Sequence, residues 1–204
     1  MNINFDNVAK HYAQKTFDQM KAVLMDPAAN APAVFYHMIR GTKDSGNVTV
    51  LEPGTVGGEY IKTVGHYHIG DLKETYFIKN GQGVALLQKL ALDASGKAIP
   101  NIVAEFKAIP FKEGDNVFMP GGGWGHVIVN TDKKYLVTID DTIVYFDENE
   151  KPKNSGHADY ELVQQMKGFC YYVVEKEGGP CLIKNKNYKE VRTADFGGLE
   201  ASSD

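Results

Sequence analysis

Three of the six histidines in this 204-residue chain, His66, His68 and His126, fall at spacings that group them with one carboxylate, Glu74. The runs concerned are Gly65-His66-Tyr67-His68, then Glu74 and Gly81, and later Gly114, Pro120, Gly122, His126 and Asn130. Three neutral imidazoles and a carboxylate make a mixed nitrogen and oxygen donor set suited to divalent Fe, Ni, Mn or Zn, and it includes no thiolate that would favour a purely structural zinc. His-x-His alone is weak, because a single histidine on a strand is usually a packed or solvated residue. The four ligand types together, with Gly and Pro at the intervening turns, point to a bound metal.

Strands explain the spacing. Side chains two apart on a strand share a face, so His66 and His68 aim together. Gly70-Asp71 reads as a tight turn and Thr75-Tyr76-Phe77-Ile78 as a strand, so a hairpin is expected to bring Glu74 back to the histidines. Gly121-Gly122-Gly123 leads into a β-branched run that carries His126, the fourth ligand. Tyr76, two residues beyond Glu74 on the same face, either orients the carboxylate or a substrate or is an ordinary wall aromatic.

The rest of the chain reads as one domain that supports this constellation. With 43% hydrophobic residues in 204, a substantial core is expected. A net charge of -4 without a Lys/Arg block argues against nucleic acid or an anionic membrane as partner. No apolar run of membrane-spanning length is present and residues 1–6 lack an export pattern, so a cytoplasmic location is expected. Cys170 and Cys181 are read as free thiols in a hairpin. Phe17, Met20 and Leu24 repeat at helical spacing before Pro27, which predicts a covering helix in an N-terminal segment, 1–32. Short β-rich runs follow at 34–39, 47–52, 59–67, 74–78, 83–90, 102–109, 116–119, 126–130 and 135–139, separated by Gly, Pro, Asn and Asp turns. They predict an all-β jelly-roll barrel over 33–192, and the Gly- and Ser-rich 193–204 reads as a disordered tail.

The two histidine-bearing runs resemble the paired motifs of the cupin superfamily, with slightly longer spacers before Glu74 and His126. A finer resemblance, to the cupin-type glucose-6-phosphate isomerases, lies in Pro53-Gly54-x-Val56-Gly57, Glu59-Tyr60-x-Lys62-Thr63-x-Gly65-His66-Tyr67-His68, Glu74-Thr75-Tyr76, Gly81-x-Gly83, Leu86-Leu87-Gln88 and Lys167-Gly168-Phe169. It covers about residues 34–189 and implies a cupin jelly-roll β-barrel. It also implies one divalent metal per subunit on His66, His68, Glu74 and His126, with Fe first and Mn, Ni or Zn as alternatives, in a homodimer. The implied reaction interconverts glucose 6-phosphate and fructose 6-phosphate, a step of glycolysis and gluconeogenesis. Glu74 would be the base, on either an enediol or a hydride-shift path, with Tyr76 beside it. The resemblance implies phosphate or substrate contacts at Thr49, Thr63, the Gly65 amide, His157, Tyr160 and Tyr36.

This chain departs from that pattern over 140–155, where an insertion is expected. A tyrosine of the compact members is replaced by Asp140, and Tyr145 is a candidate to refill its place. Three classes of function therefore stand side by side: this isomerase; another cupin enzyme, such as a different phosphosugar isomerase or an iron dioxygenase; and a non-catalytic sugar-binding cupin. The anion-binding run Thr63-Val64-Gly65 beside the ligands favours a phosphosugar isomerase over a dioxygenase. A buried Glu74, costly without an ion, argues against the third class.

Overall fold

Short runs of β-branched and aromatic residues, cut by glycine turns, form eighteen strands in the computed structural model, which describes residues 12–40, 46–142 and 158–202. β1 (Tyr12–Thr16) leads into one helical turn, α1 (Phe17–Met20), and a 3-10 turn, Lys21–Val23. β2 (Val34–Ile39), β3 (Asn47–Leu51), β4 (Thr55–Val56), β5 (Glu59–Tyr60) and β6 (His66–His68) follow. Next come β7 (Glu74–Asn80), β8 (Gln82–Leu92), β9 (Ala98–Lys112), β10 (Asn116–Met119), β11 (Trp124–Asn130) and β12 (Leu136–Asp140). The last elements are β13 (Ala158–Asp159), α2 (Glu161–Gln165), β14 (Tyr171–Lys176), β15 (Gly179–Lys184), β16 (Glu190–Val191), β17 (Ala194–Asp195) and β18 (Glu200–Ser202).

The strands make two large sheets and a smaller one. The first sheet has the order β1-β2-β3-β12-β7-β10; the second has β13-β6-β11-β8-β9-β16, with β17 also on β9. They face one another as a sandwich, all-β as expected, with the strands of the two sheets unpaired to each other among the described residues. Leu51, Met119 and Leu136 of the first sheet and Ile128 of the second are almost completely buried between them, and Leu86 and Phe106 are equally buried on the other face of the second sheet. The third sheet, β18-β15-β14-β5-β4, packs against the outer face of the second, where Tyr171 meets Phe106.

Several expectations change. The covering helix is only one turn. Two backbone groups just past Met20 are claimed by a buried ion pair: Lys62 Nζ donates to the Val23 carbonyl at 2.5 Å, and Glu59 Oε2 accepts from the Met25 N–H at 2.8 Å. Residues 12–16, placed in the helical segment, instead form an edge strand on β2. The run 59–67 is not one strand, because Gly65 takes a positive φ of 76° and breaks it into β5 and β6. β6 and β7 are not a hairpin either: the turn after His68 carries the chain across the sandwich into the opposite sheet. The tail is ordered over 194–202, with β17 and β18 adding parallel to β9 and β15. Its anchor is Phe196, whose ring lies 5.3 Å from Tyr171 and 6.2 Å from Phe106. Cys170 and Cys181 are free and buried, as expected. Cys181 pairs with Val174 across the β14–β15 hairpin, so Cys170 is not its cross-strand neighbour.

Candidate metal centre

The crossing between sheets is what assembles the four ligands. β6 and β11 are antiparallel neighbours with His66 and His126 in register, so their rings meet with Nε2 atoms 3.3 Å apart. His68 joins them on the same face of β6, and Glu74 arrives from the first residue of β7 in the facing sheet. One ligand atom from each of the four lies within 4.8 Å of every other. Glu74 Oε2 stands 3.4 Å from His68 Nε2 and 3.2 Å from His126 Nε2.

These donors fit a cation and little else. His68 Nδ1 lies 2.9 Å from the Leu72 carbonyl, which only accepts, so the proton sits on Nδ1 and the Nε2 lone pair points inward. His68 Nε2 and Glu74 Oε2 are buried without a hydrogen-bond partner, an arrangement that is costly unless a positive ion completes it. Burial pushes the Glu74 carboxyl up, but the close approach of His126 and His68 and the field of His126 and His66 outweigh it and hold the group well below the usual carboxylate range. Its other oxygen, Oε1, accepts from the Thr142 hydroxyl at 2.9 Å. Residues of this kind hold Fe, Mn, Ni or Zn in neutral-imidazole and carboxylate sites.

The tetrad opens on a small pocket of about 90 Å³. Tyr36, Thr49, Thr63, Gly65, Tyr76 and Tyr160 all line it. His157 and Tyr145 lie outside the described residues. Thr63 Oγ1 accepts from the Ile128 N–H at 3.1 Å and Tyr36 Oη from the Val64 N–H at 3.4 Å, so each hydroxyl proton is left to point at a ligand. Burial pushes the phenols of Tyr36, Tyr76 and Tyr160 up, which keeps them neutral donors. The Tyr160 ring lies 5.3 Å from His66 and that of Tyr76 5.5 Å from His126.

Asp140 also enters the pocket. Its carboxyl is pushed up to about 7, chiefly by burial and then by the charge of Glu74, although it accepts from Asn47 Nδ2 at 2.7 Å and from the Thr142 N–H at 3.0 Å. Sequence reasoning missed Arg40, Asn47, Met38 and Thr142 as lining residues. A period-two count along β2 from Tyr36 through Met38 to Arg40 would have found two of them. Asn47 and Thr142 carry no comparable spacing signal.

The family model for glucose-6-phosphate isomerase (GPI) matches residues 14–190. The chain is similar to the glucose-6-phosphate isomerase of Thermococcus onnurineus, 33% identical over 142 residues that make up 69% of this chain and 62% of that protein. It is also similar to that of Thermococcus kodakarensis, 34% identical over 143 residues, 70% of this chain and 63% of the relative. The chain thus spans a little over three-fifths of the length of these relatives, as their 62% and 63% coverage shows. Among solved structures it is similar to a predicted oxalate decarboxylase from Thermotoga maritima, with 18% identity, a TM-score of 0.38, and coverage of 69% of this chain and 96% of that one.

Proposed function

We propose that this chain, which belongs to the cupin-type glucose-6-phosphate isomerase family, interconverts glucose 6-phosphate and fructose 6-phosphate with a divalent metal on His66, His68, Glu74 and His126. The observation that carries the reading is a buried donor set with two unpartnered ligand atoms, open to a pocket lined by hydroxyl donors. Aldose–ketose exchange moves a proton between C1 and C2 while charge builds on the sugar oxygens. When bound, the ion supplies Lewis acidity at O1 and O2. Glu74 is the group that takes and returns the proton: it is ionised at neutral pH, faces the pocket and is oriented by the Thr142 hydroxyl. Tyr76 stays protonated and orients the substrate or the carboxylate from the pocket wall. The phosphate is held by Thr49, Thr63, the Gly65 amide, Tyr36 and Tyr160, with His157 as a further contact. Iron is the metal we favour, in a cytoplasmic enzyme of glycolysis and gluconeogenesis.

A homodimer belongs to the same proposal. Ile39, Val48, Ile139 and Phe77 follow one another in cross-strand register on the face of the first sheet opposite the pocket. They are only partly buried, and Phe118 beside them is 54% exposed. An antiparallel sheet with one wet face usually alternates apolar and polar, so an apolar outer row favours a second copy of the chain as its cover. A different phosphosugar as substrate is favoured by one observation, the Asp140 carboxylate in the pocket. The test is fructose 6-phosphate turnover by chelator-stripped protein before and after adding Fe(II), Mn(II), Ni(II) or Zn(II). Restored turnover supports the isomerase; stoichiometric metal binding without turnover of any hexose phosphate overturns it.

A further inference from the structure

β2 ends at Ile39, and the next residue, Arg40, continues the row Tyr36, Met38, Arg40 into the pocket. Among the described residues no other lysine or arginine lines that pocket. Among the described residues Arg40 forms no ion pair, and its one hydrogen-bond contact is from Nη2 to Met38 Sδ at 3.7 Å. The same pocket is lined by the hydroxyl-bearing Tyr36, Thr49, Thr63 and Tyr160. The oxygens of Tyr36 and Thr63 already accept backbone N–H groups, so what they offer an incoming molecule is a proton. A guanidinium among hydroxyl donors is complementary to a tetrahedral oxyanion with several acceptor oxygens.

The acids at this end of the pocket sharpen the point. Glu74 and Asp140 both line it, and a phosphate dianion entering beside them needs an opposing positive charge. The Arg40 charge is felt by Tyr36, Tyr76, Asp140 and Tyr160, all of which it shifts toward the ionised form, so its field covers the space a ligand would fill.

We infer that Arg40 is the cation that binds the phosphate of the substrate and makes the pocket prefer phosphorylated over unphosphorylated sugars. This rests on reading the site as that of a phosphosugar isomerase. A charge-assisted bond of this kind corresponds to about a 10- to 100-fold change in affinity.

The test uses the full chain, as wild type, Arg40→Met, Arg40→Lys and Arg40→Met with Asp140→Asn. Inorganic phosphate is titrated calorimetrically into metal-free protein, and KM and kcat for fructose 6-phosphate are measured on the metal-loaded form. The Met variant should bind phosphate about 10- to 100-fold more weakly and raise KM with kcat little changed, Lys should fall between, and Mn(II) affinity should stay the same. The double variant should remain weak. Phosphate affinity unchanged in Arg40→Met overturns the inference. So does full recovery in the double variant, which would reduce Arg40 to a counter-charge for Asp140. If Arg40→Met does not fold, Arg40→Lys carries the same comparison. Arg40-dependent phosphate binding by a wild-type protein that turns over no phosphosugar would sink the isomerase reading and leave this anion site standing.

Discussion

Replacing Glu74 by Gln keeps the shape of the side chain and removes one charge from the centre of the donor set. In the native arrangement Oε1 is held by the Thr142 hydroxyl at 2.9 Å, while Oε2 faces His68 and His126 Nε2 at 3.4 and 3.2 Å. A glutamine amide that keeps its carbonyl on Thr142 turns its NH2 toward the imidazole lone pairs. It then competes for the nitrogens that would hold an ion. A flipped amide turns its Oε1 toward the ion but leaves the Thr142 hydroxyl facing an N–H. Either way metal affinity should fall at least about 10- to 100-fold, the size seen when groups supporting a metal site are lost. Losing the proton-transfer group itself costs about 100- to 10,000-fold in turnover. Turnover is to be followed by coupled oxidation of the glucose 6-phosphate formed, with metal content measured on the same samples at saturating metal. Glu74→Asp keeps the charge but withdraws it by about 1.5 Å, one carbon–carbon bond, and should give intermediate rates. Glu74→Gln with full metal occupancy and turnover within a factor of about three of wild type would refute the role of Glu74 as base.

Three further perturbations address the frame around the site. Asp140 has its folded-state pKa raised to about 7 from 3.8, so it favours the fold fully only at low pH, and that stability is lost as pH rises from about 4 through 7. In chelated protein, urea melts should show wild type losing up to about 4 kcal/mol relative to Asp140→Asn across that window; parallel pH curves for the two proteins would contradict this. Lys62→Met leaves Glu59, 1% exposed and 2.8 Å from the Lys62 ammonium, as an unpaired buried charge. It should cost about 3–5 kcal/mol and be largely rescued by adding Glu59→Gln, with thermal melting as the check. At Gly65, φ is +76° and an added Cβ would sit 2.3 Å from Val127 Cγ2, so Gly65→Ala should destabilise by about 1–3 kcal/mol and displace His66. Its metal content after dialysis should fall below that of wild type, and full retention would show that the backbone there yields more readily than its packing suggests.

The candidate metal centre was legible because metal-ligand chemistry imposes spacing. His66 and His68 at i and i+2, and a glycine-rich turn before His126, leave a trace in one dimension. What the spacing does not carry is which sheet a returning strand joins. Gly70-Asp71 announces a turn, but only the pairing of β7 with β12 and β10, both distant in the chain, decides that it lies opposite β6 and not beside it. The helix at Phe17 failed for a similar reason, since the groups that cut it short, Glu59 and Lys62, lie more than thirty residues away. In the tail, a Gly- and Ser-rich composition masked Phe196 and Leu199, whose packing against the core supplies what the flanking residues lack. Arg40 escaped notice because a single cation after a strand has no pattern of its own; its meaning comes from Thr63 and Tyr160, which other parts of the chain bring to it.

The division of the ligands between facing sheets also fixes when they come into existence during folding. His66 and His126 meet across a pairing that closes a loop of about sixty residues, and Glu74 joins only when the second sheet lies over the first. No local segment, and no single hairpin, presents more than part of the set. An ion bound there could not therefore template the early chain in the manner of a zinc finger; it would select and lock a sandwich that has already closed. Metal should accordingly slow unfolding of the finished protein far more than it speeds folding of the nascent one, and an underloaded protein would be a folded but easily opened molecule.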